Sequence, residues 1–113
     1  MHEMSLCESV LHILQENAKS QGFERVKTVW LEIGALSGVE VEAMRFSFDV
    51  VCKNSLAHDA KLEIVNLPAL AWCMMCAKTI EIQQRFDPCP DCGSHQLQIS
   101  QGEEMRIKEL EVE

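Results

Sequence analysis

Cys73-Met74-Met75-Cys76 and Cys89-Pro90-Asp91-Cys92 form two Cys-x-x-Cys pairs with twelve residues between them. A tetrahedral metal ion needs four thiolates converging from two directions, and each pair can aim two sulfurs at one point. This spacing therefore reads as a metal site of the zinc-ribbon kind. Spacing alone does not choose the metal, because rubredoxin-type iron sites use the same pairing. The amino terminus offers a second chemistry. In Met1-His2-Glu3 the α-amino nitrogen, the backbone nitrogen of His2 and its imidazole can close adjacent chelate rings on one ion, a planar set that nickel(II) and copper(II) favour. Glu3 adds a nearby carboxylate or another backbone nitrogen, although a solvated chain end carries such residues as well.

The remaining histidines offer less. His12 lies among apolar residues of a helical stretch, His58 lies in a polar loop, and His95 follows Cys92 closely enough to be a replacement ligand or a support for the site. Carboxylates are numerous and read mainly as solubilising charge. Glu40 and Glu42 fall in the first turn of a predicted helix, where the helix dipole already favours them. No G-x-x-x-x-G-K, G-x-S-x-G or H-E-x-x-H motif occurs, and no nucleophile and base are paired, so the reading leans against an enzyme.

The elements that must position these groups follow from periodicity. Leu6, Cys7, Val10, Leu11, Ile13, Leu14 and Ala18 recur at three- and four-residue spacing, predicting an amphipathic helix from Ser5 to about Ser20. Ser5 and Glu8 would form its capping box and Gly22 its end. Val26 to Ala35 predicts a strand, and Gly34-Ala35-Leu36-Ser37-Gly38 breaks it. Val41, Met44, Phe48 and Val51 mark a second helix over about Val39 to Lys53. Cys7 and Cys52 fall on apolar stripes and read as packed thiols. Lys61 to Asn66 alternates as a strand closed by Pro68. Thr79 to Gln83 and Gln96 to Ser100 read as ribbon flanks, and Met105 to Val112 as a last strand. The expected class is α+β: two helices packed on a small three-stranded sheet, with a zinc-ribbon subdomain inserted between two strands. Residues 1-67 plus 102-113 would form the main domain and 68-101 the ribbon.

Composition narrows the partners. The 113 residues carry a formal charge of −8, to which four thiolates around a divalent ion add about two negative charges. Between Trp72 and Ser100 only Lys78 and Arg85 are cationic, so phosphate backbones are poor partners. No apolar run is long enough to span a bilayer and the start lacks a signal core, which predicts a cytoplasmic protein without membrane insertion.

Met1-His2-Glu3-Met4-Ser5-Leu6, Trp30-Leu31-Glu32-Ile33-Gly34-Ala35-Leu36-Ser37-Gly38-Val39 and the two cysteine pairs, in this order and at this length, resemble the HypA/HybF family of hydrogenase nickel-insertion accessory proteins. The resemblance covers essentially the whole chain. It implies a metallochaperone in which Cys73, Cys76, Cys89 and Cys92 hold a structural zinc while His2 is the essential ligand of transported nickel, with Glu3 and terminal backbone nitrogens beside it. Some relatives bring an acidic residue at the start of the second helix to nickel, and the matching position here is Glu40. The implied partners are a nickel-binding GTPase, HypB, and the large subunit of nickel-iron hydrogenase. A homodimer is left open. The alternatives are a zinc-ribbon adaptor that binds protein or RNA without handling nickel, and a rubredoxin-like electron carrier.

Overall fold

The computed structural model describes residues 2–113, with His2 described by its backbone alone. The order of elements is α1 (His2–Gln21), β1 (Val26–Gly34), α2 (Val41–Cys52), β2 (Lys61–Leu67), β3 (Ala69–Cys73), β4 (Lys78–Ile82), β5 (Leu97–Gln101) and β6 (Met105–Val112). Two helices and two three-stranded sheets make the expected α+β fold. The chain divides into two compact units, one of Met1–Leu31, Val39–Ile64 and Ile107–Glu113, the other of Glu32–Gly38 and Val65–Arg106.

In the first unit α1 buries Cys7, Val10 and Leu14, and α2 buries Met44, Ser47, Phe48 and Cys52, each set one helical stripe. Leu14, Leu31, Met44 and Phe48 are fully enclosed, and each such side chain contributes about 1.5–3 kcal/mol through its removal from water. Arg45 crosses from α2 to donate to the Leu62 carbonyl at 2.7 Å. Helix α1 starts at His2, three residues before the predicted Ser5, so Ser5 lies inside the helix and the expected capping box does not form. Gly22 ends it as expected, at φ +78° with its N–H on the Ala18 carbonyl at 2.9 Å. Helix α2 is shorter than predicted, and Glu40 sits just outside it as N-cap, its carboxylate accepting the Glu42 N–H at 3.2 Å.

The first sheet has the order β2-β1-β6. The Gly34 N–H meets the Glu104 carbonyl while Arg25 and Glu113 exchange bonds at the other end, so β1 and β6 are antiparallel. Val26 to Leu56 and Ala35 to Leu67 bonds run start to start and end to end. Strands β1 and β2 therefore run in one direction, which a crossover through α2 permits.

The second sheet, order β4-β3-β5, lies within the second unit. Strand β3 was not anticipated from sequence, and it is the central one. It pairs antiparallel with both neighbours, Cys73 facing Lys78 on one side and Leu97 on the other, with an irregularity at Leu70/Ala71. Strands β4 and β5 are each displaced by one residue from their predicted spans. Ala69, Ala71, Cys73, Ile80, Ile82 and Cys89 form this unit's buried cluster, and Leu36 packs onto it. The segment expected only to break β1 thus contributes to the ribbon core. Its backbone is fastened there: Leu36 N–H donates to Gly102 O at 2.7 Å and Ala35 N–H to Leu67 O at 3.0 Å. A Cβ on Gly34 would lie 2.1 Å from the Gly102 carbonyl oxygen, so this close approach requires glycine.

Candidate metal centre

Each pair of cysteines occupies a knuckle of the same local geometry. In the first, β3 ends at Cys73, the Ala77 N–H donates to the Cys73 carbonyl at 2.8 Å, and Ala77 has φ +55°. In the second, the Gly93 N–H donates to the Cys89 carbonyl at 2.8 Å and Gly93 has φ +76°. Both knuckles turn through a left-handed residue directly after the second cysteine, which brings the two sulfurs of each pair to one side. Glycine adopts this conformation freely, whereas Ala77 does so at a cost of about 1 kcal/mol. The Cys76 N–H also approaches the Cys73 sulfur at 3.4 Å, a donor suited to a thiolate.

The four sulfurs lie within 4.8 Å of one another. Cys73 Sγ is 3.6 Å from Cys92 Sγ and Cys76 Sγ is 3.9 Å from Cys89 Sγ. Four sulfurs held tetrahedrally at about 2.3 Å from an ion would be about 3.8 Å apart, so the donor set fits a zinc-sized cation. Such an ion would supply charge and a fixed tetrahedral bond framework. The cysteines' own acid–base chemistry points the same way. Burial opposes ionisation of Cys89, but N–H groups of Cys92 and Asp91 outweigh it and bring its pKa down to about 7. Cys76, hydrogen-bonded to Cys92 and desolvated, is pushed up to about 12. Four adjacent thiolates cannot all be charged without a cation among them, so metal uptake must release protons. Lys78, just after the first knuckle, pairs with Asp91 inside the second. Hydrogen bonding and the charge of Asp91 raise the Lys78 pKa. Both side chains are about half exposed, so this cross-link is worth little in stability.

The other sequence-derived candidates are placed elsewhere. Met1 and the His2 side chain lie outside the described residues. Glu3, in the first turn of α1, accepts the backbone N–H of Glu40 at 3.2 Å, while the Glu40 carboxylate caps α2. Each carboxylate thus holds a backbone N–H at the start of α2, Glu3 that of Glu40 and Glu40 that of Glu42. His12 and His58 are exposed, and His95 is exposed outside the four-sulfur cluster. Cys7 donates to the Met44 carbonyl at 3.5 Å within the first unit's core. Burial, with the nearby Cys52 and Glu3, holds its pKa up to about 12. Sequence reasoning missed Ala77 and the Lys78–Asp91 pair. Only the symmetry of the two knuckles around Gly93 could have pointed to Ala77.

A sequence model of the family described as "Hydrogenase/urease nickel incorporation, metallochaperone, hypA" matches residues 1–112. The chain is 60% identical over 113 residues to a hydrogenase maturation factor HypA of Rhodopseudomonas palustris, and 58% identical to one of Azotobacter chroococcum, covering 100% of both chains in each comparison. It is also similar to the solution structure of the nickel metallochaperone HypA from Helicobacter pylori. There the TM-score is 0.72 at 28% identity, with 97% of this chain and 96% of that one covered. A second solution structure of a HypA protein gives a TM-score of 0.74 at 29% identity over 99% of this chain and 96% of that one.

Proposed function

This chain belongs to the HypA family of nickel-incorporation metallochaperones, and on that premise we propose that it binds nickel at its amino terminus and delivers it during maturation of nickel-iron hydrogenase. The observation that carries the reading is the agreement along the whole chain with proteins named hydrogenase maturation factors. His2 supplies the imidazole, with the terminal backbone nitrogens beside it. Glu3 and Glu40 supply carboxylates from the starts of α1 and α2, and the bond from the Glu40 N–H to the Glu3 carboxylate supports their assignment to one site. Nickel is cargo, so its site must be selective by ligand type and geometry yet able to open. A chain terminus can peel away one donor at a time, which a closed cage cannot.

Cys73, Cys76, Cys89 and Cys92 hold zinc permanently. Four thiolates leave no open coordination position, so this metal is structural and holds the ribbon's shape. The division of labour assigns residues 1-67 and 102-113 to nickel and 68-101 to zinc and docking. The chain acts in the cytoplasm as a carrier with no catalytic step of its own. It passes nickel to or from HypB, the nickel-binding GTPase, and onward to the hydrogenase large subunit. The family description also includes urease; the names of the similar curated proteins favour hydrogenase.

Complementation tests the reading. In cells lacking this protein, His2→Ala should accumulate to wild-type levels, retain zinc and fail to restore hydrogenase activity. Full restoration by His2→Ala would identify an adaptor that works through its ribbon without carrying nickel.

A further inference from the structure

The most exposed large apolar side chain of the described residues is on the ribbon. Phe86 is 90% exposed, and its φ of +69° is a left-handed conformation that an aromatic residue adopts only under strain. Its neighbours keep it there. The Asp87 carboxylate accepts N–H groups of Gln83 at 3.1 Å and Gln84 at 3.0 Å. Arg85 pairs with Glu103 and donates to the Leu36 carbonyl. The turn is thus fastened on both sides of Phe86, and the ring is held out in water. Beside it lies a groove of about 150 Å³, lined by Ile82, Leu97 and Ile99 with Phe86, Arg85, Asp87 and His95. Apolar space of this order accepts a benzene-sized group.

Charge indicates what would approach it. All three lysine and arginine side chains of this unit are already paired internally, Lys78 with Asp91, Arg85 with Glu103 and Arg106 with Glu32. Glu81, Asp87 and Glu104 lie beyond those pairs, and a zinc tetrathiolate adds about two further negative charges. A second copy of a chain with net charge −8 would be repelled. We propose that the Phe86 groove is a docking site for a protein partner that inserts one apolar side chain from a basic surface. An aromatic anchor beside an apolar pocket is the usual centre of binding energy in a protein interface. The complementary charge would speed encounter. The inference rests on the reading of the ribbon as a docking platform and names its contact surface.

The test titrates zinc-loaded full-length chain with purified hydrogenase large-subunit precursor and, separately, with purified nickel-binding GTPase, at low and high salt. Phe86→Ala should weaken binding to one of them at least tenfold, and wild-type affinity should fall as salt rises. Phe86→Gly should weaken binding equally while raising Tm by about 3 °C, because glycine accepts the left-handed backbone. Unchanged binding of both partners by both variants would overturn the proposal, as would a wild type that binds neither or an affinity indifferent to salt. Phe86-dependent self-association in sedimentation would assign the groove to a second copy instead. His2→Ala should dock like wild type, so loss of nickel binding and loss of docking separate cleanly.

Discussion

At the residue scale, the six cysteines divide into two populations with opposite chemistry. Cys7 and Cys52 are 0% and 2% exposed, and burial first, then neighbouring negative charge, raises their pKa values to about 12 and about 11. Thiols so held stay neutral and unreactive at ordinary pH. With zinc bound, we expect a thiol reagent at pH 8 to leave both unlabelled until the protein is denatured; rapid labelling of either would contradict its packing. The pH consequence has a definite sign. The unfolded chain ionises these thiols near pH 9 while the folded one keeps its protons, so their contribution is intact below pH 9 and diminishes as pH rises above it. Denaturant unfolding of the zinc-loaded protein between pH 8 and 10.5 should show the midpoint falling over that interval, with Cys7→Ala losing part of the slope. The quartet was legible in sequence because a Cys-x-x-Cys pair is a local geometric device. The left-handed Ala77 was not, because nothing in alanine marks a position where glycine would serve better. Ala77→Gly should stabilise the zinc-loaded protein by about 0.5–1 kcal/mol in denaturant unfolding.

At the element scale, periodicity found both helices and the strands β1, β2 and β6, whose apolar residues alternate or stripe clearly. It failed where local signals competed. Ser5 and Glu8 imitate a capping box although α1 begins at His2, and Ala69-Leu70-Ala71-Trp72-Cys73 is too poor in β-branched residues to announce the central ribbon strand. Small residues on that strand are what the packing requires: Ala69 touches the space left by Gly102, whose own Cβ would sit 2.7 Å from Ala69 Cα. Sequence reading also saw Gly34 only as an interruption, because its backbone partner Gly102 is distant in the chain. Gly34→Ala places a methyl group against that carbonyl, and we expect it to cost about 2–4 kcal/mol. Chemical denaturation of zinc-loaded protein measures this, and a loss under 0.5 kcal/mol would show that the two glycines do not meet as described.

At the scale of the whole molecule, the two units rely on different means of stability. The first encloses Leu14, Leu31, Met44 and Phe48. The second has a cluster of alanines, two isoleucines and cysteines, small enough to need a metal to hold it. Chelation of zinc should therefore abolish the protection of β3–β5 amides from hydrogen exchange while the α1 and α2 amides at Val10, Leu14 and Phe48 stay protected. Uniform loss across both units would mean that the zinc supports the entire fold. This separation bears on the proposed function, since a permanent zinc and a transient nickel need sites that do not exchange ligands. The most direct measurement is calorimetric titration of nickel into zinc-loaded wild type and His2→Ala, with both metals quantified afterwards. Nickel carriage by the amino terminus requires about one equivalent of nickel bound by wild type with zinc retained, and none by the variant at the same zinc content. Equal nickel binding by His2→Ala, or nickel bound only as zinc is lost, would contradict it.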